Sequence, residues 1–343
     1  MSDPASTHPL VSVVVPSFNH AGFVGQTIES ALSQNVSLEV IVVDDASSDR
    51  SRDVIAQYSD PRVRLLLHDE NRGPAAALNT GITAARGDYI TALGSDDYYL
   101  PHTLAKQLDF LRNHPNYDAV FGMPHLIDEQ GRHVTEGGYR EFAHPFVGAE
   151  ATKADWLRYF FLMGNCLCHP AVMLRRRVHE TVGLYDPRLL NLQDFDLWVR
   201  MLLGGMNFFV LPVELTARRV HGKNLSGPTV STALRSQFEI LQILKAYRTL
   251  PAAELYAIFA VQIRQAGIEQ GLTSGALLSA LASASTLRGM HYFALEMLYE
   301  ALEGDPNADC RPLFKLSGRL DPFGLVRTVP QVPVANRARP VAR

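Results

Sequence analysis

The sequence predicts an α/β fold, an αβα sandwich with a mostly parallel central sheet, followed by an all-helical C-terminal region. Three observations predict it. Apolar β-branched runs alternate with helix-like stretches between Leu10 and Leu93, polar clusters stand where those runs end, and beyond about Thr232 only helical spacing remains.

Leu10 to Val15 and Leu38 to Val43 are continuous β-branched runs, as expected of central strands covered on both faces. Between them, Gly22 to Ser33 has the spacing of a helix with Phe23, Ile28, Ala31 and Leu32 on one face, which gives a right-handed βαβ unit. A second unit follows, with a helix over Ser48 to Tyr58, a strand over Val63 to Leu67, a helix over Ala75 to Ala85 and a strand over Tyr89 to Leu93. From about residue 100 to 230 the pattern is less regular, and residues 128–145 have the composition of a long surface connection.

After Thr232, Leu234, Phe238, Leu241 and Leu244 recur at helical spacing, as do Leu255, Ile258, Phe259 and Val261 to Ile263. Residues 289–306 resemble the second helix of a tetratricopeptide repeat, with Ala294, Leu298, Ala301 and Pro306 on its spacing. One such unit cannot bury its own face, so it must dock on the rest of the chain or on a second subunit; an ordinary helical hairpin fits equally well. The expected layout is an α/β domain over 1–230, a helical region over 231–320 that could serve docking or dimerisation, and a disordered basic Pro/Arg-rich tail over 321–343.

The chain has 343 residues, 47% of them hydrophobic, and a formal net charge of -3, which gives no electrostatic case for a nucleic-acid partner. Cys166, Cys168 and Cys310 supply neither a disulfide framework nor a four-ligand zinc site, so reduced structural thiols are expected. The N-terminal stretch lacks the basic and apolar regions of a secretory signal, and no run approaches the about 18 apolar residues of a membrane span. These features favour a cytoplasmic protein. The tail arginines add the expectation of peripheral contact with acidic lipid at the inner face of the membrane.

Ligands of open α/β sheets collect at the carboxyl ends of the strands. Three polar clusters lie there: Pro16-Ser17-Phe18-Asn19, Asp44-Asp45-Ala46-Ser47 and Asp96-Asp97. No G-x-G-x-x-G fingerprint follows the first strand, which disfavours a dinucleotide enzyme. Two adjacent carboxylates repel, and a cation between them removes the conflict; hard oxygens of this kind suit Mg²⁺ or Mn²⁺. Helix capping is the competing explanation, by Asp96 or Asp97 for a helix near Leu100 and by Asp45 for the helix from Ser48. Cys168 beside His169 raises the idea of a thiol nucleophile, but adjacent residues of a strand face opposite ways and no activating partner is visible.

In order, VSVVVPSFNHAGFVGQTIESALSQ, VIVVDDASSD, NRGPAAALNTGITAARGDYI, LGSDDYYLP, LQDFDLWVRM and RVHGKNLSG resemble the family 2 glycosyltransferases over roughly Leu10 to Gly227. The resemblance implies a GT-A fold, inversion at the anomeric carbon, a nucleotide-sugar donor, most often a UDP-sugar, and Mn²⁺ or Mg²⁺. It assigns donor binding to Pro16, Phe18, Asn19, Asp44, Asp45, Asn71, Arg72, Gly73, Asn79, Ser95 and Asp96, with Asp45 reading the base. Asp96, Asp97 and His221 would hold the metal, while His169 and Trp198 would line the acceptor side. Gly94 stands where the D-x-D motif often has its first aspartate, and Leu78 replaces a frequent arginine for which Arg72 is a substitute.

An inverting transfer needs a carboxylate that takes the proton of the acceptor hydroxyl as it attacks. Asp194 and Asp196 both qualify by chemistry, and the family pattern selects Asp194; Gln193 stands where glutamate is common. The expected activity is transfer of a sugar to a saccharide or lipid-linked acceptor in bacterial surface polysaccharide assembly, with a homodimer formed through the C-terminal helices. A sugar nucleotidyltransferase and a non-catalytic nucleotide-sugar-binding scaffold are the alternatives.

Overall fold

The structure is a computed structural model that describes residues 9–134, 142, 144–222, 224, 225, 227, 229–285, 290–301 and 303. The expected tail over 321–343, Cys310 and Pro306 lie outside the described residues.

The first half alternates as its hydrophobic pattern requires: β1 (Val11–Ser17), α1 (Val24–Leu32), β2 (Leu38–Asp44), α2 (Ser51–Ala56), β3 (Val63–Leu67), α3 (Pro74–Ala84) and β4 (Tyr89–Ala92). There follow β5 (Tyr98–Tyr99), α4 (Thr103–Asn113), β6 (Ala119–Ile127), α5 (Lys153–Met163), β7 (Met173–Arg175), α6 (Arg177–Val182), α7 (Gln193–Leu203) and β8 (Phe208–Arg219). Helices α8 (Val230–Leu244), α9 (Ala252–Ile258), α10 (Ala260–Ala266), α11 (Ser274–Ser283) and α12 (Met290–Ala301) complete the described chain.

The strands form one sheet in the order β3-β2-β1-β4-β7-β6-β8-β5. The β1, β2, β3 and β4 ladders are parallel, with Val11 opposite Leu38 and Tyr89, whereas β7 runs antiparallel to both β4 and β6. Strand β8 lies parallel to β6 and antiparallel to β5.

Alternate valines explain the continuous apolar runs. Val11, Val13 and Val15 face α1 and α4 through Ile28, Leu104 and Leu108, while Val14 joins Ile41, Leu78 and Trp198 on the other face. Gly81 brings α3 directly onto β1, since a Cβ there would meet Val14 Cγ1 at 2.4 Å.

The second core continues without a break into the C-terminal helices. Phe161 of α5 packs against Tyr247, Phe259 and Phe293 at ring distances of 5.4, 5.0 and 6.0 Å. Helices α11 and α12 form a hairpin closed by Ser279 Oγ donating to the Ala294 carbonyl at 2.7 Å, and it docks on the rest of this chain.

Two local expectations need correction. The second helix begins at Ser51 rather than Ser48, because the Asp49 carboxylate takes the Ser51 and Ala21 N–H groups at 2.9 and 3.0 Å and holds the preceding residues in a turn. Leu234 and Phe238 are exposed; α8 instead buries Glu239, Ile243 and Leu244.

Candidate active site

A cavity of about 660 Å³ opens at the carboxyl ends of β1, β2 and β4 and is bounded on its far side by the segment entering α7. Its lining includes Pro16, Phe18, Asp45, Asn71 and Gly73 from the first strand-end loops, Ser95, Asp96 and Asp97 after β4, and His169, Asn191 and Asp194 from the second half of the fold.

Asp45 is not a helix cap. Its Oδ1 accepts from His68 Nδ1 at 2.6 Å and the Arg72 N–H at 2.9 Å, and its Oδ2 accepts from the Gly73 N–H at 2.8 Å. A carboxylate has about four acceptor positions, so one stays available to a ligand on the cavity side. Gly73, at φ +86°, lets the chain turn into α3 with its N–H aimed at Asp45.

Several residues assigned by the resemblance do not reach the cavity lining. The side chain of Asp44 is buried on Arg52, at 2.6 Å, and on the Ser47 N–H. Asn19, at φ +55°, accepts the Ser48 N–H at 2.8 Å and ties the first strand-end loop to the second. Arg72 contributes its backbone, and Asn79 brackets Tyr185 through two hydrogen bonds of 2.8 and 2.9 Å. Trp198 is fully buried, edge-on to Phe121 and behind His169.

The paired aspartates part company. Asp97 is buried and accepts the Arg219 N–H on Oδ1 at 2.8 Å. Burial, reinforced by the Asp96 charge, pushes its carboxyl well above the ordinary range; the Arg219 N–H and the Arg218 and Arg219 charges oppose this. Asp96 Oδ2 faces His221 Nε2 at 3.0 Å and the Asn224 amide at 3.2 Å. Neither caps a helix, since α4 starts at Thr103 after His102 in a left-handed conformation.

Sequence reasoning missed His20. Its Nδ1 meets Ser95 Oγ at 2.7 Å, and its ring lies edge-on to His221 at 5.9 Å. His20, Asp96 and His221 each offer one ligand atom, all within 4.8 Å of one another, and Asp97 is not in the group. Two imidazoles and a carboxylate fit a divalent ion, Mn²⁺ better than the harder Mg²⁺. The nearest sequence signal for His20 is its position beside Asn19 at a strand end. Gly94 fits here as well: a Cβ at this position would meet Asp97 Oδ2 at 2.8 Å and Asp96 Oδ1 at 2.9 Å.

Asp194, in the first turn of α7, accepts from Asn165 Nδ2 at 3.0 Å and from the Phe195 N–H at 2.8 Å. Desolvation in the wall pushes its carboxyl up to about 6. Asp196 turns away and pairs with Arg200 at 2.8 Å, outside the lining. His169 donates to or accepts from Tyr185 Oη at 2.8 Å, and burial holds its imidazole down at about 4. Burial pushes the Cys166 and Cys168 thiols up to about 12, which leaves no thiolate for catalysis at neutral pH.

The mixed α/β architecture, with its cavity at the strand ends and its C-terminal helices, is that of the GT-A glycosyltransferases. Solved structures with the same fold are S. aureus TarS in complex with UDP (18% identity, TM-score 0.51, covering 85% of this chain and 88% of that one) and the mannosyltransferase PcManGT from Pyrobaculum calidifontis in complex with GDP-Man and Mn²⁺ (19% identity, TM-score 0.54, covering 88% and 89%). The family model described as glycosyl transferase family 2 matches residues 12–182. An uncharacterized glycosyltransferase of Rickettsia typhi is 30% identical over 227 residues, 66% of this chain and 67% of that protein. The putative teichuronic acid biosynthesis glycosyltransferase TuaG of Bacillus subtilis is 29% identical over 238 residues, 68% of this chain and 88% of TuaG. This chain belongs to glycosyltransferase family 2.

Proposed function

We propose that this chain is an inverting, metal-dependent glycosyltransferase that moves a sugar from a nucleotide diphosphate sugar, a UDP-sugar in our reading, to a hydroxyl of a saccharide or lipid-linked acceptor. The observation that carries this reading is that Asp194 lines the same cavity as His20 and Asp96, two members of the His20/Asp96/His221 group. In this reading Asp194, ionised above about pH 6, takes the proton of the acceptor hydroxyl as that oxygen bonds to the anomeric carbon and the nucleoside diphosphate leaves. Asn165 holds Oδ2 and the Phe195 N–H holds Oδ1, which fixes the orientation of the carboxylate and leaves each oxygen a lone pair. Asp96, His221 and His20 would hold the cation, which supplies Lewis-acid stabilisation to the departing diphosphate. Asp45 would take the imide N–H of the base, and Phe18, half-exposed at the rim, would cover it.

A role in surface polysaccharide assembly is supported by the name of TuaG, and the donor and metal classes by the ligands of TarS and PcManGT. We further propose that residues 1–230 carry the groups that touch donor and acceptor, with peripheral membrane contact at the cytoplasmic face; among the described residues no helix is long and apolar enough to cross a membrane. Calorimetric titration with UDP, GDP, dTDP and CDP, each with Mn²⁺ and with EDTA, tests the reading. Binding of one diphosphate only with the metal is the expected result, and metal-independent binding would remove Asp96 from the ligand set.

A further inference from the structure

The loop entering α7 is held by a residue far outside the span that the family model matches. Glu239 of α8 is buried at 3% exposure, and its carboxylate accepts three consecutive backbone N–H groups: Leu190 on Oε1 at 2.9 Å, and Asn191 and Leu192 on Oε2 at 3.0 and 2.9 Å. The same loop is tied a second time, by Asn191 Nδ2 donating to Ser236 Oγ at 3.2 Å and to the Thr232 carbonyl at 3.4 Å. Leu190, Asn191 and Leu192 all line the cavity, and Asp194 follows two residues later.

Leu192 is the N-cap of α7 and caps nothing with its side chain. Glu239 instead gathers the N–H groups of the segment leading into the helix, the N-cap residue's included, and sets a carboxylate near the positive end of the helix. A buried carboxylate kept for solubility or packing would not be aimed at three adjacent amides.

We propose that Glu239 is a positioning residue for the transfer: by clamping Leu190 to Leu192 it fixes the orientation of Asp194, so that α8 belongs functionally to the catalytic half of the molecule. This rests on Asp194 being the base. An amide at this position offers one oxygen and two competing donors, so Glu239→Gln leaves at least one of the three N–H groups without an acceptor.

The test compares the full-length wild type with Glu239→Gln. Hydrogen exchange over residues 190–203 should become at least about tenfold faster while peptides of β1 and β2 are unchanged; Mn²⁺-dependent UDP binding should stay within about twofold, and turnover of the UDP-sugar should fall at least about tenfold at unchanged donor KM. Unchanged exchange over 190–203 overturns the clamp. Faster exchange with an unchanged turnover rate, or donor binding lost in parallel with turnover, overturns the positioning role. A wild type that binds UDP with Mn²⁺ but turns over no donor refutes Asp194 as the base and the positioning role with it, whereas a wild type that binds no nucleoside diphosphate refutes the donor reading separately. Should Glu239→Gln not fold, Glu239→Asp keeps the charge but draws it back by one methylene, and the same two readouts apply with smaller changes.

Discussion

Asn165 Nδ2 lies 3.0 Å from Asp194 Oδ2, and this contact distinguishes Asp194 from its neighbour in α7, Asp196, which is paired with Arg200 instead. One carboxylate is oriented toward the cavity and the other is committed to a helix-surface ion pair.

Transfer should rise with pH through about 6 as Asp194 ionises. Because its folded pKa lies above the ordinary 3.8, the unfolded chain releases this proton first, and stability falls as pH rises from about 4 to about 6. Two units correspond to about 3 kcal/mol. Asp194→Asn should abolish transfer, spare diphosphate binding, and melt higher than wild type at pH 8 but not at pH 4. Asp196→Asn should change the rate less than about threefold. Thermal melts at the two pH values, with rates for both variants, decide this; a melting gain independent of pH would refute the raised carboxyl.

Alanine at Asp96 or His221 should weaken Mn²⁺-dependent UDP binding at least about tenfold, and His20→Ala should weaken it in Mn²⁺ more than in Mg²⁺, since the imidazole contributes most to the softer ion. Calorimetry in each metal reads the difference. If His20→Ala leaves both affinities intact, its ring is not a metal ligand.

Gly94→Asp would install the aspartate that the family's motif often has, yet the side chain would enter at 2.8 to 2.9 Å from carboxylate oxygens of Asp97 and Asp96. We expect divalent-ion binding to fall. A gain in affinity would show that these two carboxylates reorganise readily.

Cys166 and Cys168, buried and with thiols pushed up to about 12, should resist iodoacetamide at pH 8 in the folded chain and react after denaturation. Peptide mass spectrometry reads both. Rapid labelling of Cys168 in the native chain would reopen a thiol role.

The sheet was legible because its signal is local: valine runs without polar interruption, broken by Asn and Asp at the strand ends. The same locality explains what was missed. Asp44 and Asp45 are neighbours, and only the pleat decides that Asp45 turns to the cavity while Asp44 turns to Arg52. Trp198 lies among residues of the α7 motif, but helical phase carries it to the core. His20, Asn165 and Glu239 acquire their roles from Ser95, Asp194 and Leu190, which are 75, 29 and 49 residues away, and no spacing rule links such pairs. Leu234 and Phe238 repeat like core positions although α8 turns Glu239 inward instead.

The place of β8 in the sheet has a consequence for synthesis. Arg219, at its end, donates its N–H to Asp97, Nε to the Asp96 carbonyl at 2.9 Å and Nη2 to Gln26 at 2.8 Å, and among the described residues β5 pairs only with β8. A nascent chain that has left the ribosome only through α7 already carries the nucleotide loops and Asp194. It still lacks the strand that pairs Tyr98 and Tyr99, and it lacks His221. The last-made strand ties down the first-made loops, so a translation product aborted before Phe208 leaves Asp97 and Gln26 without their Arg219 partner.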